Sequence, residues 1–300
     1  MSATGTSGGK RTGELIRKAA VLIEALPYIQ RFRNEIVVVK LGGSAMEDKS
    51  HVESVLRDVA FMECVGMRAV VVHGGGKAIS RGMDRHGIKP SFVRGHRVTC
   101  ERTIRIVEQV MKEELNPYLV SVLGGMGANA VGMNGEDVLR VVRKTHLDEK
   151  TGELLDWGFV GEPGDVDTGP ILSALDSGAV PVMTPLGRGP DGKVHNVNAD
   201  SAAAAVAKAL HARKLVFLSD VPGVLRDPED ETSLLSTLKV GDVERLVQEG
   251  VISGGMLPKI QGCIDAVHAG VRKVHMVDGR MPHSILLEVF TDEGVGTEIM

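Results

Sequence analysis

Short, unbroken apolar runs recur along the chain, and each ends in glycine. Residues 36–39 lead through Lys40-Leu41 into Gly42-Gly43-Ser44, and 69–72 lead into His73-Gly74-Gly75-Gly76. A third run, 214–218, ends in Ser219-Asp220-Val221-Pro222-Gly223. A run that is apolar at every position predicts a strand buried on both faces, as in a parallel sheet covered by helices. Longer stretches between the runs, 48–65, 77–86, 101–122 and 200–212, read as helices. Strand and helix in alternation predict an α/β fold, a three-layer αβα sandwich around a central, mainly parallel sheet. Ligands of such sheets sit beyond the carboxyl ends of the strands, where these glycines fall.

Two segments break the alternation. Residues 138–143 alternate in polarity, 150–153 supply a turn, and 154–160 return, which predicts an antiparallel hairpin beside the parallel sheet. The turn cluster Gly187-Arg188-Gly189-Pro190-Asp191-Gly192 marks the expected seam between two lobes, 34–195 and 196–300. Ahead of both lies 14–33, where Leu15, Ala19, Leu22, Leu26 and Ile29 share one helical stripe widened by Ile16, Ala20 and Ile23. Pro27 falls inside that stripe and is expected to kink or break it. Such a helix either packs on its own domain or serves as an arm docking on another subunit.

Composition narrows the function. With 35 Lys+Arg against 39 Asp+Glu the net charge is −4, which argues against a nucleic-acid partner. Six Phe, two Tyr and one Trp are too few for a base-stacking platform. The longest apolar run, 202–207, cannot span a bilayer, so no membrane partner is expected. The Ser/Thr/Gly-rich residues before Lys10-Arg11 read as a loose tail, not a signal peptide. Cys64, Cys100 and Cys263 are far apart and form neither a disulfide framework nor a CxxC site, which suits the cytoplasm.

Several chemistries are missing. Gly76-Lys77 is followed by Ala78 and preceded by Val71 where a P-loop needs glycine, and neither HExxH nor G-x-S-x-G occurs. Gly125-Met126-Gly127-Ala128-Asn129-Ala130 resembles a dinucleotide fingerprint but follows a helix-like stretch, so a tight turn is the better reading. Two glycine loops after buried strands remain. In Lys40-Leu41-Gly42-Gly43-Ser44, exposed backbone N–H groups can cradle phosphate oxygens beneath the Lys40 charge. His73-Gly74-Gly75-Gly76 offers a second nest leading into a helix N-terminus, which favours an anion. Either loop alone could be a packing accommodation; two in one sheet point to two anionic groups brought together. Asn196-Val197-Asn198-Ala199-Asp200 precedes an alanine-rich helix, and Asn198 or Asp200 could simply cap it. Lys259, just past Gly254-Gly255, would be an unremarkable surface lysine if taken singly.

Together with Arg94-Gly95-His96-Arg97-Val98-Thr99, Ser219-Asp220-Val221-Pro222-Gly223-Val224 and Gly254-Gly255-Met256-Leu257-Pro258-Lys259, these motifs resemble the amino-acid kinase family from about residue 36 to the end, in order. The leading helix and the ending Glu288-Val289-Phe290-Thr291-Asp292-Glu293-Gly294-Val295-Gly296-Thr297-Glu298-Ile299 look like its arginine-inhibited, hexameric branch, whose acceptor is N-acetyl-L-glutamate. The resemblance implies ATP with Mg2+ held mainly by phosphates and water, and transfer of phosphoryl to the substrate γ-carboxylate in arginine biosynthesis. It implies that the first lobe binds N-acetyl-L-glutamate and the second binds ATP, in a homohexamer built as a trimer of dimers.

Residue by residue, it implies that Lys40 and Lys259 flank the transferring group with Asp200 between them, orienting both. Amides of Gly43 and Gly75 would meet the phosphoryl oxygens, and Gly75 and Gly76 the acceptor carboxylate. Arg97 would bind the α-carboxylate and Asn196 the acetylamino acid. Gly42, Ser219, Asp220 and Gly223 would line the nucleotide side, and Lys214, His283, Glu288 and Gly294 an arginine site. The glutamate 5-kinase, aspartate kinase, carbamate kinase and uridylate kinase relatives share the glycine loops; the Arg97 motif, Asn196 to Asp200 and the C-terminal signature favour acetylglutamate. A non-catalytic arginine sensor is disfavoured by Lys40, Asp200 and Lys259 standing together.

Overall fold

The computed structural model describes residues 6–42, 46–147, 152, 154–254, 256–291 and 294–300. Helix α1 (Thr6–Phe32) leads into β1 (Ile36–Leu41), α2 (Lys49–Cys64), β2 (Arg68–His73) and α3 (Gly76–Arg85). A small hairpin, β3 (Phe92–Val93) and β4 (His96–Arg97), precedes α4 (Glu101–Gln109), a π-helical turn (Val110–Leu115) and α5 (Asn116–Gly125). Then come β5 (Ala130–Met133), α6 (Gly135–Val138), β6 (Leu139–Leu147), β7 (Leu154–Val166), α7 (Gly169–Asp176), β8 (Val180–Met183), β9 (Leu186–Arg188) and β10 (Val194–Val197). The last third holds α8 (Ala199–Ala209), β11 (Lys214–Ser219), β12 (Thr237–Leu238), α9 (Val243–Gln248), α10 (Met256–His268), β13 (Val274–Asp278), α11 (Ser284–Phe290) and β14 (Thr297–Ile299).

Eight strands form one sheet in the order β12-β14-β13-β11-β1-β2-β8-β5, parallel except between β13 and β14. Successive side chains of a strand face opposite sides, and here both sides are dry. Val38, Val70 and Leu215 pack with alanines of α8 and with Ile260 and Ile264 of α10. Val37, Val39, Val71 and Val216 pack on the other face with Val55, Leu56 and Val59 of α2 and Leu119 of α5. That two-sided burial is why the strands read as continuous apolar runs, and it gives the expected three layers. Alanines along α8 let that helix lie close to the sheet directly beneath the carboxyl end of β1.

The segments that broke the alternation pair differently from expectation. The 138–160 hairpin forms, but β6 and β7 do not extend the parallel sheet; with β9 and β10 they close a separate four-stranded barrel. The 187–192 cluster is the turn of the antiparallel β9–β10 hairpin inside that barrel, so it is not a connector between units. Pro27 does not break α1, which runs on to Phe32. Leu15, Ile16, Leu22, Ile23 and Leu26 on that helix are exposed.

The 101–122 helix is interrupted by the turn at Val110–Leu115, where the Asn116 N–H donates five residues back to the Met111 carbonyl. Pro117 explains the slip: it has no N–H to give to the residue four before it, and its ring crowds that carbonyl. Such one-turn insertions are frequent at functional sites.

Candidate active site

β1 and β2 run side by side with Leu41 opposite His73, so their two glycine loops emerge together. The Gly74 N–H donates to the Leu41 carbonyl at 2.7 Å. A Cβ built on Gly74 would lie 3.5 Å from the Gly42 Cα, which measures how closely the loops approach. A cleft of ≈ 530 Å³ opens over them. It is lined by Lys40, Gly42, Gly75, Gly76, Arg97, Asn196, Asp200 and Asp220, so eight of the sequence-predicted residues meet in one place. Gly43 lies outside the described residues.

Lys40 ends β1 half-buried, and its ammonium sits 2.7 Å from Asp200. A Cβ on Gly42 would fall on the Lys40 ammonium, so a larger residue there would displace that side chain. Asn198 caps α8, its side chain accepting from Asp200 N at 2.8 Å and Ser201 N at 3.1 Å. The Asp200 carboxylate is thereby free of capping and turned to Lys40. The expectation that Asp200 orients both lysines is not met: Lys259, on α10, is paired with Asp220 at the end of β11. Two separate ammonium–carboxylate pairs thus stand at the ends of the adjacent strands β1 and β11, and Lys40, Asp200 and Asp220 of these four line the cleft whereas Lys259 does not. Ser219 reaches Asp220 at 3.5 Å, whereas Gly223 turns away from the cleft, packed on Thr297 and Leu234 with φ +152°.

Arg97 is 6% exposed, and burial lowers its pKa. Its Nη2 donates to the Gly76 carbonyl at 2.7 Å and to Ser80 Oγ at 2.8 Å, and its guanidinium stacks 4.7 Å over Phe92. Trp157 Nε1 donates to the Val93 carbonyl at 2.9 Å, fastening the β3–β4 hairpin to the small barrel. The hairpin therefore holds a planar cation at the wall of the cleft.

A second site lies at the far end of the sheet. Lys214, Glu288 and Gly294 line a pocket of ≈ 290 Å³ beside Tyr28, Arg31 and Phe32 of α1. His283 is not in it: exposed, with φ 59°, it bonds Asp58 Oδ1 at 2.8 Å. His275 takes the place expected of it, with Nδ1 2.6 Å from Glu288 Oε1. The other Glu288 oxygen accepts from Val295 N at 2.9 Å and Gly296 N at 3.0 Å. Burial alone would raise the Glu288 pKa; the bond and charge of His275, the Val295 N–H and the Lys214 charge together outweigh it and leave the group lowered. A titratable residue inside the apolar run of β13, with every neighbour buried, was the sequence signal for His275.

Beneath the second glycine loop His73 is fully buried, and burial pushes its pKa down to about 4. A base whose folded pKa lies below its unfolded one stabilises the fold above the unfolded pKa and loses that contribution as pH falls. Between pH 6.5 and pH 4 the loss due to His73 is expected to reach about 3 kcal/mol. Urea unfolding of the wild type and of His73→Asn across that window checks it, since only the former should carry this increment.

Comparisons with known proteins agree with this geometry. The amino acid kinase family model matches residues 35–278, and the chain belongs to that family. It is 46% identical over 289 residues to an acetylglutamate kinase of Symbiobacterium thermophilum, covering 96% of this chain and 99% of that one. An acetylglutamate kinase of Heliobacterium modesticaldum is 45% identical over 290 residues, covering 95% and 98%. Among solved structures, N-acetylglutamate synthase of Neisseria gonorrhoeae, complexed with coenzyme A and L-arginine, superposes with TM-score 0.77 at 26% identity over 94% of this chain. This chain spans 65% of that synthase's length. Giardia carbamate kinase shares the fold, with TM-score 0.61 at 16% identity over 89% of this chain and 99% of that one.

Proposed function

We propose that the chain phosphorylates the γ-carboxylate of N-acetyl-L-glutamate with ATP, giving N-acetyl-L-glutamyl 5-phosphate and ADP, in arginine biosynthesis. The observation that carries this reading is the end-to-end identity with acetylglutamate kinases, 46% over 289 residues. The nucleophile is a carboxylate already ionised at neutral pH, its ordinary pKa being about 4.3. No general base is required. The barrier is the approach of two anions, so the catalyst's work is positioning and charge neutralisation.

In this reading Lys40 and Lys259 act on the transferring phosphoryl group, each exchanging its carboxylate partner for phosphate oxygens. Asp200 and Asp220 hold the two ammonium groups ready. Gly43 and Gly75 supply amides to the phosphoryl oxygens, and Gly75 and Gly76 hold the acceptor. Arg97, a planar donor at the cleft wall, takes the α-carboxylate in a bidentate grip, and Asn196 the acetylamino group. Residues 34–195 carry most of the acceptor contacts and 196–300, apart from Asn196, the nucleotide, with Gly42 and Ser219 shaping its side. The three carboxylates that line the cleft, Glu47, Asp200 and Asp220, are each engaged by a lysine, and among the described residues no group of three His, Cys, Asp or Glu could hold a metal. Magnesium is accordingly assigned to the ATP phosphates and water, where it would neutralise the β- and γ-oxygens.

Arginine inhibition and a hexamer belong to the same proposal. The pocket at Lys214, His275, Glu288 and Gly294 joins a buried carboxylate, suited to a guanidinium, to the end of α1. A fold relative was crystallised with L-arginine, and the exposed stripe of α1 supports an arm that docks on another subunit. The three free cysteines are in keeping with a cytoplasmic enzyme. ADP release with acetylglutamate, glutamate, aspartate and carbamate as acceptors, with and without arginine, tests the reading. Turnover should require acetylglutamate and fall on adding arginine; turnover of another acceptor in its place would overturn it.

A further inference from the structure

The structure assigns His73 and Asn116 as positioning residues that fix the second glycine loop, Asn116 holding the His73 ring in one tautomer and that ring holding the Gly74 carbonyl. The polarity of this buried chain has only one consistent solution. His73 Nδ1 lies 2.9 Å from the Gly74 carbonyl, which can only accept, so Nδ1 carries the proton. Nε2 is then an acceptor. Asn116 Nδ2 lies 3.2 Å from it and 2.8 Å from the Val182 carbonyl, and its two hydrogens serve these two acceptors. His73 is 0% and Asn116 6% exposed, so neither bond competes with bulk water.

Asn116 reaches His73 from the residue directly after the π-helical turn. The same turn aims Met111 and Leu115 at the loop: a Cβ on Gly75 would lie 2.7 Å from each. Gly74 is tied on its other side to Leu41 of the first loop. One irregular turn thus supplies an apolar wall above Gly75 and a polar strut below Gly74. Burying two polar side chains under a cleft is unfavourable unless each bond is made, and here every bond ends on the loop or on the strand beside it. The loop's peptide planes are thereby fixed before any anion arrives.

This rests on the reading that the loop meets the acceptor and the transferring group. The test exploits the two ring nitrogens. An Asn amide nitrogen replaces Nδ1 and can still donate to the Gly74 carbonyl; a Gln amide nitrogen replaces Nε2 and cannot. His73→Asn should keep kcat/KM for acetylglutamate within about tenfold of wild type, whereas His73→Gln should lose on the order of 10²-fold, chiefly in kcat, with KM for ATP little changed. A role in filling space would favour the longer Gln, so equal or better activity of His73→Gln overturns the assignment. Should neither variant fold, ¹⁵N-histidine NMR of the wild type decides. A neutral ring protonated at Nδ1 is expected, and protonation at Nε2 refutes the strut. Failure of wild type to phosphorylate acetylglutamate would sink the functional reading while leaving the NMR test intact.

Discussion

Lys40→Ala and Lys259→Ala should each lower kcat by about 10²–10³-fold while the protein stays folded, because on the proposed reading each removes a positive charge that meets developing negative charge. KM for acetylglutamate should change less than kcat, since a transition-state contact is being removed. The double variant should fall by less than the product of the two losses, as groups acting on one phosphoryl oxygen set do. Steady-state kinetics with circular dichroism as the folding control check this. Retention of more than a tenth of wild-type kcat by either single variant would remove that lysine from the reaction. The two ion pairs sharpen the expectation: loss of Asp200 should act through Lys40, and loss of Asp220 through Lys259.

Removal of residues 1–33 should dissociate a hexamer into smaller species and weaken arginine inhibition. Among the described residues, six large apolar side chains on α1 (Leu15, Ile16, Val21, Leu22, Ile23 and Leu26) are exposed in the single chain, and each is worth about 1.5–3 kcal/mol when fully buried. The deletion does two things, however. It strips the apolar arm, and it removes Phe32, which is 4% exposed and walls the Lys214–Glu288 pocket. A shorter deletion of 1–26 separates them, because Tyr28, Arg31 and Phe32 remain. That variant should lose assembly yet keep arginine binding, read by light scattering and by calorimetry. Unchanged mass and unchanged arginine response in the longer deletion would contradict both roles of the helix.

The main sheet was legible because its strands are buried on both faces, and their composition says so without reference to partners. The glycine loops were legible for a related reason: a sheet puts its binding edge where such strands end. The small barrel was not, because nothing local in 139–147 or 186–188 tells which distant strand each will meet. Asp220 as the mate of Lys259 was hidden in the same way, since β11 and α10 converge only in three dimensions. The family resemblance points to His283 for the arginine site, yet it is His275, buried within β13, that meets Glu288. The π-helical turn had a visible sign in Pro117, which inside a regular helix over 101–122 would remove a hydrogen bond and crowd the preceding turn.

β1 and β11 lie far apart in the chain and are hydrogen-bonded neighbours, with Val37 opposite Lys214 and Lys40 opposite Phe217. Their zipping must wait until most of the polypeptide has been synthesised and a long loop has closed, which makes folding slow and topologically demanding. A fragment ending near residue 195 would expose the whole flank of β1, an uncovered edge ready to recruit other strands and aggregate. Severing the gene near residue 195 should therefore yield insoluble halves that recover only when refolded together.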